Sequence, residues 1–175
     1  DERRHAPTPV VGDQDVRSRR GHRDVARSRT AAGLFVDLLQ RPVGLDGSAA
    51  FCAMARANTG CEVLHQQFLS LALPAAGFDG VFANASLFHV PAQELPRVLR
   101  ELHSALRPGG ILFSSNPRGS GEGWSGQRYG HFMEFEASTA YLEAAGFTVL
   151  EHYYRPQGAS RAEQPWLAIV SRKIG

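Results

Sequence analysis

The stretch ELPRVLRELHSALRPGG, residues 94–110, limits the folds open to this chain more than any other. Leu95, Val98, Leu99, Leu102 and Leu106 recur at three- and four-residue steps, which puts them on one apolar face of a helix. Pro96 suits the first helical turn, and the proline–glycine punctuation of RPGG ends the helix. The helix is flanked by the runs FDGVFANASLFHV and ILFSSN. The first begins as a strand and loosens near Asn84; the second reads as a strand. Strands that are apolar throughout are buried on both faces, as in a parallel sheet covered by helices.

The same alternation extends both ways. PVGLD reads as a strand ending at Asp46, and SAAFCAMARANTG as a helix with Ser48 as its N-cap and Gly60 as its stop. CEVLHQQFL is a further strand. EASTAYLEAAGF is a helix stopped at Gly146, and TVLEHYYR and WLAIVSRK are two closing strands. The glycines at 119, 121, 123, 126 and 130 mark the intervening segment as a loop. Strand–helix alternation predicts an α/β doubly wound sheet. A chain of 175 residues is most simply one domain.

The first thirty residues follow another regime. They hold eight arginines, from Arg3 to Arg29, and few apolar side chains, whereas Lys173 is the sole lysine. Residues 1–30 are therefore expected to form an irregular arginine-rich segment, and residues 31–175 the folded domain. Within the former, PVVGD at 9–13 can form a short strand. Apolar residues from Val25 to Leu39 suggest a helix, weakened by Gly33.

Several function classes find no support. A net charge of +2 is too mild to point to a nucleic acid. No apolar run approaches the roughly 20 residues of a membrane span, and DERRHAPTPV has no apolar signal core. The spacing of Cys52 and Cys61 fits neither a redox pair nor a zinc knuckle. Both read as reduced packing residues of a cytoplasmic protein, a disulfide being the alternative. The histidines are dispersed, so no metal site is expected. There is no HExxH, P-loop lysine or GxSxG elbow. A literal GxGxxG at Gly121, Gly123 and Gly126 runs into aromatic residues instead of opening a helix, unlike a dinucleotide fingerprint.

Four stretches, VGLDGS, FDGVFANASLFHVP, LHSALRPGGILFSS and YLEAAGF, together resemble the class I S-adenosylmethionine-dependent methyltransferases, in particular small bacterial methyltransferase-domain proteins. With WLAIVSRK the likeness spans Arg41 to about Lys173. It implies a Rossmann-like, doubly wound sheet of seven strands, mostly parallel, with an antiparallel C-terminal strand. It also implies that S-adenosylmethionine lies across the carboxyl ends of the first four strands, where open α/β sheets bind ligands. Asp46 would then accept hydrogen bonds from the ribose hydroxyls, with Gly44, Gly47 and Ser48 around it. Its other role is that of an acid at a helix N-terminus. Gln67 stands where the family has an acid, and Phe68 would cover the adenine or belong to the core. Asn84 and Ala85 would lie beside the sulfonium and the amino-acid tail. His89 can serve as general base or pack on the next helix.

The activity implied is methyl transfer to a small-molecule acceptor. The segment SNPRGSGEGWSGQRYGHFMEFE would act as a mobile lid, with Trp124, Arg128, Tyr129, His131 and Phe132 shaping the acceptor pocket, or else be a surface loop. Tyr129 and His131 are further base candidates. The chain departs from the family in one respect: no apolar strand ending in an acid and GxGxG precedes Asp46. GHRDVARSRTAAG, Gly21 to Gly33, faintly resembles the end of that loop and its helix. Three explanations are open: a truncated or scrambled start, PVVGD in place of the first strand beside a degenerate site, or a scaffold that has lost activity and is a non-catalytic binding protein. The acceptor and the oligomeric state are left open.

Overall fold

The computed structural model describes residues 9–12 and 41–175. In chain order its elements are β1 (Pro9–Gly12), β2 (Val43–Asp46), α1 (Ala49–Thr59), β3 (Glu62–His65), β4 (Phe78–Asn84), α2 (Leu95–Ala105) and β5 (Leu106–Pro117). Then follow β6 (Gly121–Ser125), β7 (Arg128–Phe132), α3 (Phe135–Ala144), β8 (Phe147–Arg155) and β9 (Trp166–Lys173). Seven strands form one sheet in the order β3-β2-β1-β4-β5-β9-β8. The pairs among β1 to β5 are parallel. β9 runs antiparallel to both its neighbours. β8 therefore points the same way as β1 to β5, and the carboxyl ends of six strands share one edge.

One face of this sheet buries Leu45, Val81, Ala83, Leu112, Leu167 and Ile169 against the α2 stripe of Leu95, Val98, Leu99 and Leu102 and against Leu142 of α3. Pro96 lies in the first turn of α2, as its fixed φ favours. The lone lysine closes the other end: Lys173 Nζ donates to the carbonyls of His103 and Leu106, both at 2.8 Å. A cation there answers the exposed carbonyls of a helix C-terminus. At α1 the expected caps are present. Ser48 Oγ accepts from the Phe51 N–H, and Gly60 takes φ 69°. Cys52 is buried and Cys61 partly so, and neither forms a disulfide.

Four details differ from the sequence reading. PVVGD does supply a strand, and β1 takes the central place between β2 and β4 although it lies in the segment read as irregular. RPGG does not simply follow the helix. Leu106 pairs with Phe78 and Ile111 with Gly80, so residues 107–110 bulge out of register at the start of β5. β3 ends at His65 rather than running on to Leu69, and Phe68–Ser70 is a 3₁₀ turn. The glycine-rich segment is not a loop but an antiparallel hairpin, β6 paired with β7 from Gly121↔Phe132 to Ser125↔Arg128. Its two-residue turn is Gly126–Gln127, with φ positive (60°) at the glycine and not at Gln127. That is the pattern of a type II′ hairpin turn, which wants glycine first. Cross-strand contact of Trp124 with Tyr129, ring centroids 5.5 Å apart, supports it. The expected helix over Val25–Leu39 and the Gly21–Gly33 stretch lie outside the described residues.

Candidate active site

Asp46 is the last residue of β2, at the shared carboxyl edge. Its Oδ1 accepts the Ser48 backbone N–H at 2.7 Å. The carboxylate is thus fixed by its own turn, and among the described residues Oδ2 accepts no hydrogen bond. The helix-start role and a ligand-binding role are compatible, because each uses one oxygen. The backbone around it is held by the next strand: Gln66 N–H donates to the Asp46 carbonyl at 3.1 Å, and His65 Nε2 donates to the Gly47 carbonyl at 3.1 Å. Gly44 packs directly on Val63 of β3, where a Cβ would come within 3.2 Å of that side chain. At Gly47 a Cβ would meet Gln67 Cγ at 3.2 Å. The chain therefore brings Asp46, Gly47, Ser48 and Gln67 together, with the Gln67 side chain exposed.

Beyond Gln67, half-buried Phe68 faces a narrow apolar cleft shared with Leu45, Leu71, Val81, Ala83 and Ser86. The Ser86 hydroxyl is buried there and has no hydrogen-bond partner. Phe68 is thus both a core neighbour and a cleft wall.

Asn84 ends β4, two strands from Asp46, or about 10 Å at the usual strand spacing. Ala85 follows with φ 54°, a left-handed conformation that L-residues rarely hold and that recurs at functional turns. Its N–H donates to the Ser115 carbonyl at 2.7 Å, which ties the turn to β5. Asn116 Oδ1 accepts the Phe88 N–H at 3.2 Å and fixes the next residues.

The hairpin closes on this turn. His89 Nδ1 lies 2.7 Å from the Tyr129 carbonyl. A carbonyl only accepts, so Nδ1 carries a proton, and in the neutral ring the lone pair is on Nε2. Glu122 Oε2 accepts the Ala92 N–H at 2.8 Å and also the Tyr129 hydroxyl. These bonds hold the Glu122 carboxyl below the usual carboxylate range, chiefly through the phenol. The Tyr129 hydroxyl in turn is pushed up to about 12, mainly by donating to Glu122. Tyr129 is therefore a neutral donor near neutral pH, and its geometry does not offer a base. His131 is only 7% exposed, its Nδ1 is buried without a partner, and its ring meets Tyr141 edge-on at 5.9 Å. It lines a second cleft with Leu87, Asn116, Met133 and Tyr141. His131 thus lies towards the hairpin's base, paired with Glu122, whereas His89 meets it at Tyr129, the cross-strand partner of the 73% exposed Trp124 near the turn.

The sequence did not single out Arg155. It ends β8 at the same edge, and Nη2 donates to Asn84 Oδ1 at 3.3 Å and to Ser115 Oγ. The guanidinium also lies over the Trp166 ring, 5.6 Å from its centroid. The available signal was an arginine at the end of HYYR, and it becomes informative only once β8 is known to run parallel to β4.

Among the described residues no cluster of His, Cys, Asp or Glu is placed to hold a metal ion, and no helix is long and apolar enough to cross a membrane.

Residues 28–114 match the family model described as a methyltransferase domain. No curated protein matches the chain significantly in sequence. Solved structures share the fold. An S-adenosylmethionine-dependent methyltransferase from Mesorhizobium loti is 21% identical, with a TM-score of 0.66, covering 81% of this chain and 87% of that one. The Burkholderia thailandensis 1,6-didemethyltoxoflavin-N1-methyltransferase, solved with 1,6-didemethyltoxoflavin and S-adenosylhomocysteine bound, is 21% identical. Its TM-score is 0.70 over 97% of this chain and 72% of that one. A methyltransferase from Methanosarcina mazei reaches a TM-score of 0.71 at 14% identity, covering 83% and 87%. Residues 28–114 thus carry the methyltransferase-domain pattern, and the seven-stranded order is the fold of the class I S-adenosylmethionine-dependent methyltransferases.

Proposed function

We propose that this protein transfers a methyl group from S-adenosylmethionine to a small-molecule acceptor at the carboxyl edge of the sheet. The observation that carries the reading is Asp46: a strand-end carboxylate held by the Ser48 N–H through one oxygen, with the other free of partners among the described residues. Such an oxygen accepts from a ribose hydroxyl. The residues around it fit the rest of the nucleoside. Gln67 offers an amide beside Asp46, and the apolar cleft of Phe68, Leu45 and Leu71 offers a wall for a purine. Its only unpaired polar atom, Ser86 Oγ, would gain a partner there. Asn84 and the Ala85 turn would face the sulfonium end.

S-adenosylmethionine supplies a methyl group already activated on a positively charged sulfur. The chain's own part is then alignment and exclusion of water, and alignment of two reactants is worth up to about 7–11 kcal/mol. The docked hairpin covers the turn after β4 and supplies the shielding. Where the acceptor must lose a proton, His89 is the base, because its Nδ1–H is engaged by Tyr129 and its Nε2 carries the lone pair.

Titration calorimetry of S-adenosylhomocysteine into the full chain tests the reading. Saturable binding of one molecule per chain is the expected result. Absence of heat together with an unchanged melting temperature would overturn it in favour of a scaffold that no longer binds the nucleoside.

A further inference from the structure

We propose that the acceptor carries a carboxylate and that Arg155 receives it; this rests on the methyl-transfer reading above and names its substrate class. Arg155 is partly buried at the carboxyl end of β8, yet among the described residues no carboxylate lies within ion-pair distance of it. The ion-paired arginines show the contrast: Arg97, Arg107, Arg118 and Arg161 each have a glutamate or aspartate. Among the described residues Arg155 has only neutral partners, Asn84 Oδ1, Ser115 Oγ and the Trp166 ring. Both oxygens are served by Nη2, and Nε is buried with no acceptor among the described residues. A guanidinium presents five donors in a fork suited to a carboxylate. A partly buried one without an anion is incompletely satisfied.

Its position turns this into a statement about the acceptor. The ring of Trp166 and the amide of Asn84 fix the fork in place over the end of β4 and β5, whereas Asp46 lies two strands away on β2. The guanidinium therefore stands on the side away from the proposed ribose site. The sulfonium and Arg155 would then be two positive groups flanking the acceptor. An anionic acceptor is attracted by both, a neutral one by neither. The carboxylate is the recognition handle and need not be the methylated group.

The test uses the full chain, with benzoate and phenylacetate as probes and their amides as neutral matched controls. Each is titrated in the presence of saturating S-adenosylhomocysteine, with wild type, Arg155→Gln and Arg155→Lys. In the wild type the carboxylates should bind at least tenfold more tightly than the amides. Arg155→Gln should abolish the preference, and Arg155→Lys should retain part of it, while affinity for S-adenosylhomocysteine changes less than twofold. A merely structural arginine would not move a carboxylate-over-amide ratio. No preference in the wild type, or a preference untouched in both variants, overturns the proposal. So does a loss confined to S-adenosylhomocysteine affinity, which would assign the guanidinium to the cofactor's own carboxylate. If Arg155→Gln fails to fold, the wild-type ratio and Arg155→Lys decide. Failure of the wild type to bind S-adenosylhomocysteine would sink the methyl-transfer reading instead, and the carboxylate preference is then read on the protein alone.

Discussion

At the residue scale the account turns on two side chains with opposite histories. Asp46 was legible because an acid closing a short apolar run, followed by Gly47 and a capping serine, is a local pattern. Its detailed geometry, one oxygen on the Ser48 N–H at 2.7 Å, was not legible, and it leaves the second oxygen available for the proposed ribose contact. Arg155 was illegible because its meaning is non-local. It depends on Asn84, 71 residues away, and Ser115, 40 residues away. The prediction at this scale is that Asp46→Asn, which keeps the shape and the Ser48 contact, weakens S-adenosylhomocysteine binding by about 10- to 100-fold. That corresponds to the roughly 1.5–3 kcal/mol of a hydrogen bond to a charged group. Calorimetry on the variant checks it, and an affinity within twofold of wild type would remove Asp46 from the site.

At the element scale the hairpin β6–β7 is the part the sequence hid. Glycines at alternate positions erased the two-residue hydrophobic pattern on which strand reading depends. By contrast the start and face of α2 were legible, since Leu95, Val98, Leu99 and Leu102 form one buried stripe, although Leu106, read as its fifth member, opens β5. The hairpin is latched by Glu122, which accepts hydrogen bonds from both the Tyr129 hydroxyl and the Ala92 N–H. The latch has a defined pH window. Tyr129 is raised on folding, so its contribution is complete below its ordinary value of 10.0 and fades as pH climbs towards about 12. Glu122 is lowered, so its contribution is complete above the usual carboxylate range and fades as acid titrates it. Ultraviolet difference titration of wild type against Tyr129→Phe should show that the variant lacks a phenol ionising up near 12. A missing component centred at 10 would mean that the latch does not form.

At the scale of the whole molecule, the alternation of apolar strands with helices foretold a parallel, doubly wound sheet, and the antiparallel last strand followed from the family resemblance. The central strand was harder. PVVG is only four residues in an arginine-rich context, and its place between β2 and β4 is set by parallel pairing to strands more than thirty residues onward. That sheet order is what gathers Asp46, Asn84 and Arg155 at one edge from three distant parts of the chain. The most direct measurement of the central claim is a crystal structure of the full chain with S-adenosylhomocysteine. The account predicts the ribose hydroxyls within hydrogen-bond distance of the Asp46 carboxylate and the sulfur beside Asn84. A nucleoside bound elsewhere, or an Asp46 side chain turned away from an occupied edge, would contradict it.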